Sequence, residues 1–192
     1  MQALRDAIQE MGTGLGTDIV HAGRFLNHRL ETGLIFRMGQ EIAAGFQDGQ
    51  PDLIMTVEAS GIALAITAAH ALGDLPVLIA KKTPAKSQSE EMFITEVSSY
   101  THGNRYGMRC AKSCLPKGSR VLIVDDFLAD GEAVRGMMDL IDQAGAETVG
   151  VAIGIEKGFQ PGGRQLRAKG IKVLSLSIVR EIRDGMILLQ DD

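Results

Sequence analysis

The sequence predicts an α/β fold: a mainly parallel central sheet flanked by helices. Three observations point there. Five short apolar runs, each bounded by polar or turn residues, recur along the second three quarters of the chain. Helical stretches separate several of them, and one of the runs ends in a pair of acidic residues followed by a glycine turn and a helix. Strands that are apolar along their whole length suit a parallel sheet covered on both faces, and a β-α-β order suits right-handed crossovers.

Taken in order, residues 1–47 precede the first strand and read as helices with a short extended piece, an appendage over the sheet. The first strand is "DLIMTVE" (52–58), and "GIALAITAAHALG" (61–73) forms the helix after it. "PVLIAKK" (76–82) is the second strand. Residues 83–105 are long, polar and without sustained periodicity at their start, a pattern that suits an active-site lid or a disordered insert. "RVLIVDD" (120–126) is the third strand, and "EAVRGMMDLIDQAG" (132–145) places Val134, Met137, Met138 and Ile141 on one helical face with Gly145 as C-cap. "TVGVAIGIE" (148–156) and "IKVLSLSIV" (171–179) supply the last two strands. The chain reads as a single domain over 1–192, with a core at 48–156 and a C-terminal part at 157–192.

Composition narrows the function classes. With 24 acidic against 20 basic residues the net charge is −4, which argues against a surface that coats nucleic acid. No apolar run approaches the roughly 20 residues that span a bilayer, and the charged N-terminus lacks a signal-peptide centre, so a cytoplasmic protein is expected. Cys110 and Cys114 read as ordinary thiols, and the four scattered histidines do not suggest a zinc site. "GTGLGTD" (12–18) lacks the strand before and the helix after that dinucleotide binding requires, and reads as a plain loop.

"VLIVDDFLADGEA" (121–133) has the full strand-turn-helix context. A helix starting near Glu132 points free N–H groups and its positive dipole end at the space beyond the strand, where ligands of open α/β sheets sit. Gly131 permits close backbone approach, and Ala129 and Ala133 keep side chains clear. The plainer alternative is that Asp130 caps the helix and Asp125–Asp126 are a solvated strand end.

This stretch resembles the ribose-phosphate signature of the type I phosphoribosyltransferases, and "RFLNH" (24–28), "EASGIA" (58–63) and "IEKGFQPGGR" (155–164) are similar, in the same order, to the Bacillus-type branch that acts on xanthine. The resemblance implies that fold, with a small hood built from N- and C-terminal segments. It implies 5-phosphoribosyl 1-pyrophosphate (PRPP) and xanthine as substrates, Mg2+ bound with the pyrophosphate, and a homodimer without nucleic-acid or membrane partners. Asp125 and Asp126 would then meet the ribose hydroxyls, and the backbone of Ala129, Asp130, Gly131, Glu132 and Ala133 the 5'-phosphate, with Asp130 and Glu132 side chains turned away. Glu58, Ala59, Ser60 and Gly61 would form the pyrophosphate loop, joined by Lys81 and Lys82 unless these are a solvated pair. Val20, Asn27 and Lys157 would contact xanthine, whose carbonyl oxygens at positions 2 and 6 call for donors. Asn27 equally suits a helix cap. Phe127 and Phe159 suit either purine stacking or the core.

The chain departs from relatives at several points. Ala129 stands where several have a proposed catalytic aspartate, so no general base is assigned; xanthine, with an acidic N–H, is expected to react largely as its anion. Asp130 replaces a common Thr, Ala59 a Ser, and Val20 a Leu. The resemblance leaves two other readings open, a phosphoribosyltransferase for hypoxanthine, guanine or adenine, and a non-catalytic PRPP-sensing regulator. The latter carries an extra DNA-binding domain for which the first 47 residues are short.

Overall fold

The computed structural model describes residues 1–82, 91–98 and 105–190. Its centre is a six-stranded sheet. The strands are β3 (Leu53–Val57), β4 (Val77–Ala80), β7 (Arg120–Leu128), β8 (Glu147–Lys157), β9 (Val173–Arg183) and β10 (Met186–Leu189), and they lie in the order β10-β9-β8-β7-β3-β4. All neighbours are parallel except β10, which pairs antiparallel with β9. The sheet is double-sided because its strands alternate between two apolar layers. Leu122 and Val124 of β7 face a cluster that includes Leu34, Met38, Ile42 and Phe46 of α2 (Thr32–Phe46) and Leu64 and Ala68 of α3 (Ile62–Ala71). Val121 and Ile123 face the opposite cluster, built on Val134, Met137 and Ile141 of α4 (Glu132–Ala144) and Leu166 of α5 (Gly162–Ala168). The expected apolar face of α4 is therefore buried, with Met138 half-buried at its edge, and Gly145 ends the helix in the left-handed conformation.

The chain runs outward from β3 to β4, then returns to the other side of β3 to start β7. The loops leaving the carboxyl ends of β3 and β7 thus diverge from adjacent strands, and the crevice between them is where an open α/β sheet takes a ligand.

Three expectations need correction. The stretch 12–18 is not a plain loop: Thr13–Leu15 (β1) and Ile19–His21 (β2) form a small antiparallel hairpin whose tip is 16–18. Strands of three residues are too short to display alternation in the sequence, and only Gly14 and Val20 of this hairpin are buried. The expected lid is also more structured than its composition suggests. Met92–Ser98 (β5) pairs antiparallel with Arg105–Ala111 (β6), and this ribbon packs on α4 through Val97, Met108 and Cys110; the rest of 83–105 lies outside the described residues. Finally, β10 is an unforeseen edge strand. Its signal was the Asp184-Gly185 dipeptide after β9, both residues at positive φ, a turn that favours two-residue hairpins.

Residues 1–47 comprise α1 (Gln2–Met11), the β1–β2 hairpin, a π-helical turn (Gly23–Asn27) and α2. Leu4, Ile8, Phe25 and Leu26 are fully buried in the same cluster as Leu122 and Val124 of the sheet. Among the described residues no helix is long and apolar enough to cross a membrane.

Candidate active site

The crevice at the carboxyl ends of β3 and β7 gathers most of the residues singled out in the sequence. Asp125 and Asp126 lie near the carboxyl end of β7 and are 6% and 4% exposed. The Asp126 carboxylate accepts from Ser60 Oγ at 2.9 Å and from Asn27 Nδ2 at 3.0 Å. Asp125 Oδ1 accepts from the Asp126 backbone N–H at 3.0 Å. Burial, and then the charge of Asp126 beside it, push the Asp125 carboxyl well above the usual carboxylate range. Asp126 thus has two side-chain donors in place, one on each carboxylate oxygen. Asn27 comes from the N-terminal π-turn and Ser60 from the loop after β3, so one carboxylate ties three distant segments together.

That loop, 58–61, is shaped by close packing. A side-chain carbon on Gly61 would stand 2.4 Å from Thr56 Oγ1 and 2.7 Å from Asp125 Oδ1, so only glycine lets the loop lie over the strand end. The Glu58–Ala59 peptide is cis. Glu58 reaches sideways to β4: its carboxylate accepts from the Lys82 backbone N–H at 2.7 Å and pairs with Lys81 Nζ at 3.3 Å. Lys81 and Lys82 are thus not a free solvated pair, since the second ammonium also lies 5.5 Å from the centre of the Tyr106 ring.

Beyond β7 the turn leads to α4. Gly131 is its N-cap at φ 88, a conformation that disfavours L side chains. Glu132 is turned aside as expected, paired with Arg135 at 2.6 Å. Asp130 is not wholly turned away: its Oδ1 accepts from the Glu132 backbone N–H at 3.1 Å. This is an Asx-type turn ahead of the Gly131 cap, and it occupies one of the five amides expected to face phosphate.

The third wall is the loop after β8. Lys157 Nζ donates to the Asp18 carbonyl at the hairpin tip, at 2.7 Å. Burial lowers its pKa, while the charges of Asp18 and Asp130 oppose that shift. Asp18 and Asp130, with Thr17, Phe159, Gln160 and Pro161, line a cavity of about 600 Å³ between the hairpin, the turn before α4 and this loop. Val20 is buried in the hairpin beneath it. Phe127 and Phe159 are both half-buried against the core, and only Phe159 lines the cavity.

Several supporting residues escaped sequence reading. Arg135 braces the turn by donating to the Asp130 carbonyl at 2.9 Å and to Gln165 on α5 at 3.1 Å. Tyr106 of β6 faces the acidic crevice: burial raises its phenol pKa, and the charges of Asp125, Asp130 and Glu132 raise it further. Glu156, 3% exposed, accepts two bonds from Arg167 at 2.8 and 2.7 Å and a third from Ser175 Oγ. It locks α5 to the strand that presents Lys157. A Glu-Arg pair 11 residues apart across a loop leaves no periodic trace, whereas Glu132–Arg135, at i,i+3 on a helix, was visible in principle.

Burial alone would raise the Glu156 pKa, but the hydrogen bonds of Arg167 and Ser175 and the Arg167 charge outweigh it, and the net shift is downward. A depressed folded-state pKa contributes stability that is present above the unfolded value of 4.5 and is lost as pH falls through the lower folded value. Glu156→Gln is expected to lower Tm at pH 7 and to lower it less at pH 4 and below. Thermal melts across that range test this, and a pH-independent difference contradicts it.

A carboxylate pair and a glycine-capped helix N-terminus thus meet at the switch point of a parallel sheet, where an open α/β sheet takes its ligand. The chain belongs to the phosphoribosyltransferase family: residues 22–181 match the phosphoribosyl transferase domain. It is 43% identical over 187 residues to a xanthine phosphoribosyltransferase of Laribacter hongkongensis, covering 97% of this chain and 98% of that one. A xanthine phosphoribosyltransferase of Clostridioides difficile is 40% identical with the same coverage. Among solved structures, the fold matches adenine phosphoribosyltransferase of Rhodothermus marinus with a TM-score of 0.73 at 22% identity, covering 91% of this chain and 97% of that one. The Giardia lamblia enzyme complexed with 9-deazaadenine matches with a TM-score of 0.76 at 18% identity, covering 91% and 96%.

Proposed function

We propose that the protein transfers the phosphoribosyl group of PRPP to xanthine, giving xanthosine 5'-monophosphate and pyrophosphate. The observation that carries the reading is the Asp125–Asp126 pair set between the 58–61 loop and the N-terminus of α4. A ribose bound there offers hydroxyl donors to the Asp126 carboxylate. The 5'-phosphate meets loop amides of 129–133 other than that of Glu132 and the positive end of α4. The leaving pyrophosphate lies over the amides of Ala59, Ser60 and Gly61, and Lys81 adds its charge by exchanging Glu58 for the ligand.

Among the described residues no group of three or more His, Cys, Asp or Glu side chains is arranged to hold a metal. Mg2+ commonly binds through one or two carboxylates plus phosphate oxygens, and Asp126 is the residue here that would hold it; bound there, it would neutralise charge on the pyrophosphate. The protein's own contribution is positioning and electrostatics: Asp126 holds the ribose, and a dissociative departure of pyrophosphate leaves positive charge that the buried carboxylate faces. Xanthine, bound beside Lys157, attacks largely as its anion, which removes the need for a base at position 129. By likeness to the family we also place the protein in the cytoplasm as a homodimer.

The test is product formation from PRPP and Mg2+ with xanthine, hypoxanthine, guanine and adenine in turn. Xanthosine 5'-monophosphate and stoichiometric pyrophosphate are expected, with the highest kcat/KM for xanthine. PRPP binding without nucleotide from any purine contradicts the reading and favours a regulator. For the xanthine anion, the kcat/KM profile should follow the ionisation of xanthine; a profile that tracks the protein instead sinks that part.

A further inference from the structure

We propose that Tyr106, on the β5–β6 ribbon, is a further PRPP-binding residue whose phenol hydroxyl donates to the 5'-phosphate. The inference rests on the phosphoribosyl site proposed above and adds to it a donor from a separate element. Tyr106 pairs with Val97 across the ribbon. Successive strand residues point to opposite faces, so it shares its face of β6 with Met108 and Cys110. That face packs on α4: a side-chain carbon on Gly136 would stand 2.5 Å from Val97 Cγ2 and 3.3 Å from Met108 Sδ. Met108 thus meets α4 one turn in. Tyr106, two residues nearer the start of β6, stands toward the first turn, where the charges of Asp125, Asp130 and Glu132 act on its phenol. The ring is half-buried against the same apolar cluster, and Lys82 Nζ lies 5.5 Å from its centre. The ribbon is also tied to the end of β4, since Lys81 and Arg109 exchange backbone hydrogen bonds of 2.9 and 3.1 Å. The phenol therefore borders the space between the end of β4, Asp125 and the turn before α4.

The acids around that space are already engaged. Asp130 accepts from the Glu132 backbone N–H, Glu132 pairs with Arg135, and burial pushes the Asp125 carboxyl upward, toward its neutral form. Among the described residues no hydrogen bond joins any of the three to the phenol. What remains to meet a ligand is a set of donors: the Lys82 ammonium, the turn amides of 129–133 other than that of Glu132, and the Tyr106 hydroxyl. Burial, and then the nearby acids, raise the phenol pKa from 10.0, so the hydroxyl keeps its proton at neutral pH. A phosphate seated on the turn amides and the positive end of α4 still has oxygens facing away from the backbone. Tyr106 reaches that phosphate from the ribbon side, where the main chain supplies nothing.

The test is calorimetric titration of wild type and Tyr106→Phe with PRPP, ribose 5-phosphate and pyrophosphate in turn, each with Mg2+, beside initial rates with xanthine varied. The phenylalanine keeps the ring and its packing, so an unchanged Tm is expected. The Kd for PRPP and for ribose 5-phosphate should both rise about 10-fold, the loss of one hydrogen bond to a charged group, while the Kd for pyrophosphate and the KM for xanthine stay within about twofold. A loss confined to PRPP and pyrophosphate, or equal losses for every ligand together with a lower Tm, overturns the assignment. Unchanged affinity of the variant for ribose 5-phosphate overturns this inference alone. Wild-type protein that binds neither PRPP nor ribose 5-phosphate overturns the proposed function with it.

Discussion

Lys157→Ala is expected to raise the KM for xanthine by roughly 30-fold, about 2 kcal/mol for the loss of a hydrogen bond to a charged group, with the KM for PRPP within about twofold. The asymmetry follows from placement. Lys157 stands at the end of β8, two strands from the 58–61 loop, and its ammonium is committed to the side of the cavity bounded by the hairpin. Its partner is the Asp18 carbonyl, a neutral acceptor that a purine oxo group can replace one for one. Burial lowers its pKa, while the charges of Asp18 and Asp130 oppose that shift. Initial-rate measurements with each substrate varied in turn decide the matter; equal losses for purine and PRPP contradict the assigned role.

The second large effect pairs a gain with a loss. Asp125→Asn should raise Tm at pH 7 by roughly 4–8 °C, which corresponds to about 2 kcal/mol in a chain of this size, and should lower kcat/KM for PRPP at least tenfold. Asp125 is buried beside Asp126, and its pKa is raised first by desolvation and then by that neighbour. A group whose folded-state pKa is raised weakens the fold as pH climbs above its unfolded value of 3.8 and through the folded one. The asparagine keeps an acceptor for the Asp126 backbone N–H without that cost. The stability difference between variant and wild type should therefore widen from pH 4 toward neutrality. A flat difference, or a Tm that falls at pH 7, would falsify the account. Strain of this kind is expected where function demands two acids in one place.

How much of this was legible in the chain depends on the distance over which each feature is decided. The buried strands showed themselves because a strand covered on both faces is apolar at every position, as β3 is, where all five residues are buried. The ribbon β5–β6 was hidden because it buries little beyond Val97, Met108 and Cys110 and exposes Ile94, which scrambles any alternation. Helix α5 opens on two glycines and is held by Arg167, not by an apolar stripe, so its sequence does not look helical. At the site, Asp125, Asp126 and Gly131 carry a local pattern of strand, turn and helix that can be read directly. The bonds of Asp126 to Asn27, 99 positions away, and to Ser60, 66 away, are set by tertiary closure and leave no spacing rule to find. Likewise, a solvated pair stood as the alternative for Lys81 and Lys82 because Glu58, which takes the Lys81 ammonium and the Lys82 backbone N–H, sits on a different strand end.

Phe25 and Leu26 lie next to Asn27 and are buried in one continuous apolar layer with Leu122, Val124 and Ala152 beneath the catalytic crevice. The segment that presents Asn27 and the hairpin is therefore no detachable cap. Transplanting residues 13–31 from a relative with a different base preference will carry the new contacts but not the facing positions on β7 and β8 that hold them in register. Chimeras exchanged at this boundary alone should lose solubility or turnover before they change preference, whereas exchanges that bring the matching layer residues along should retain both. For anyone seeking to retune the base, the practical unit of inheritance is the loop together with the floor it stands on.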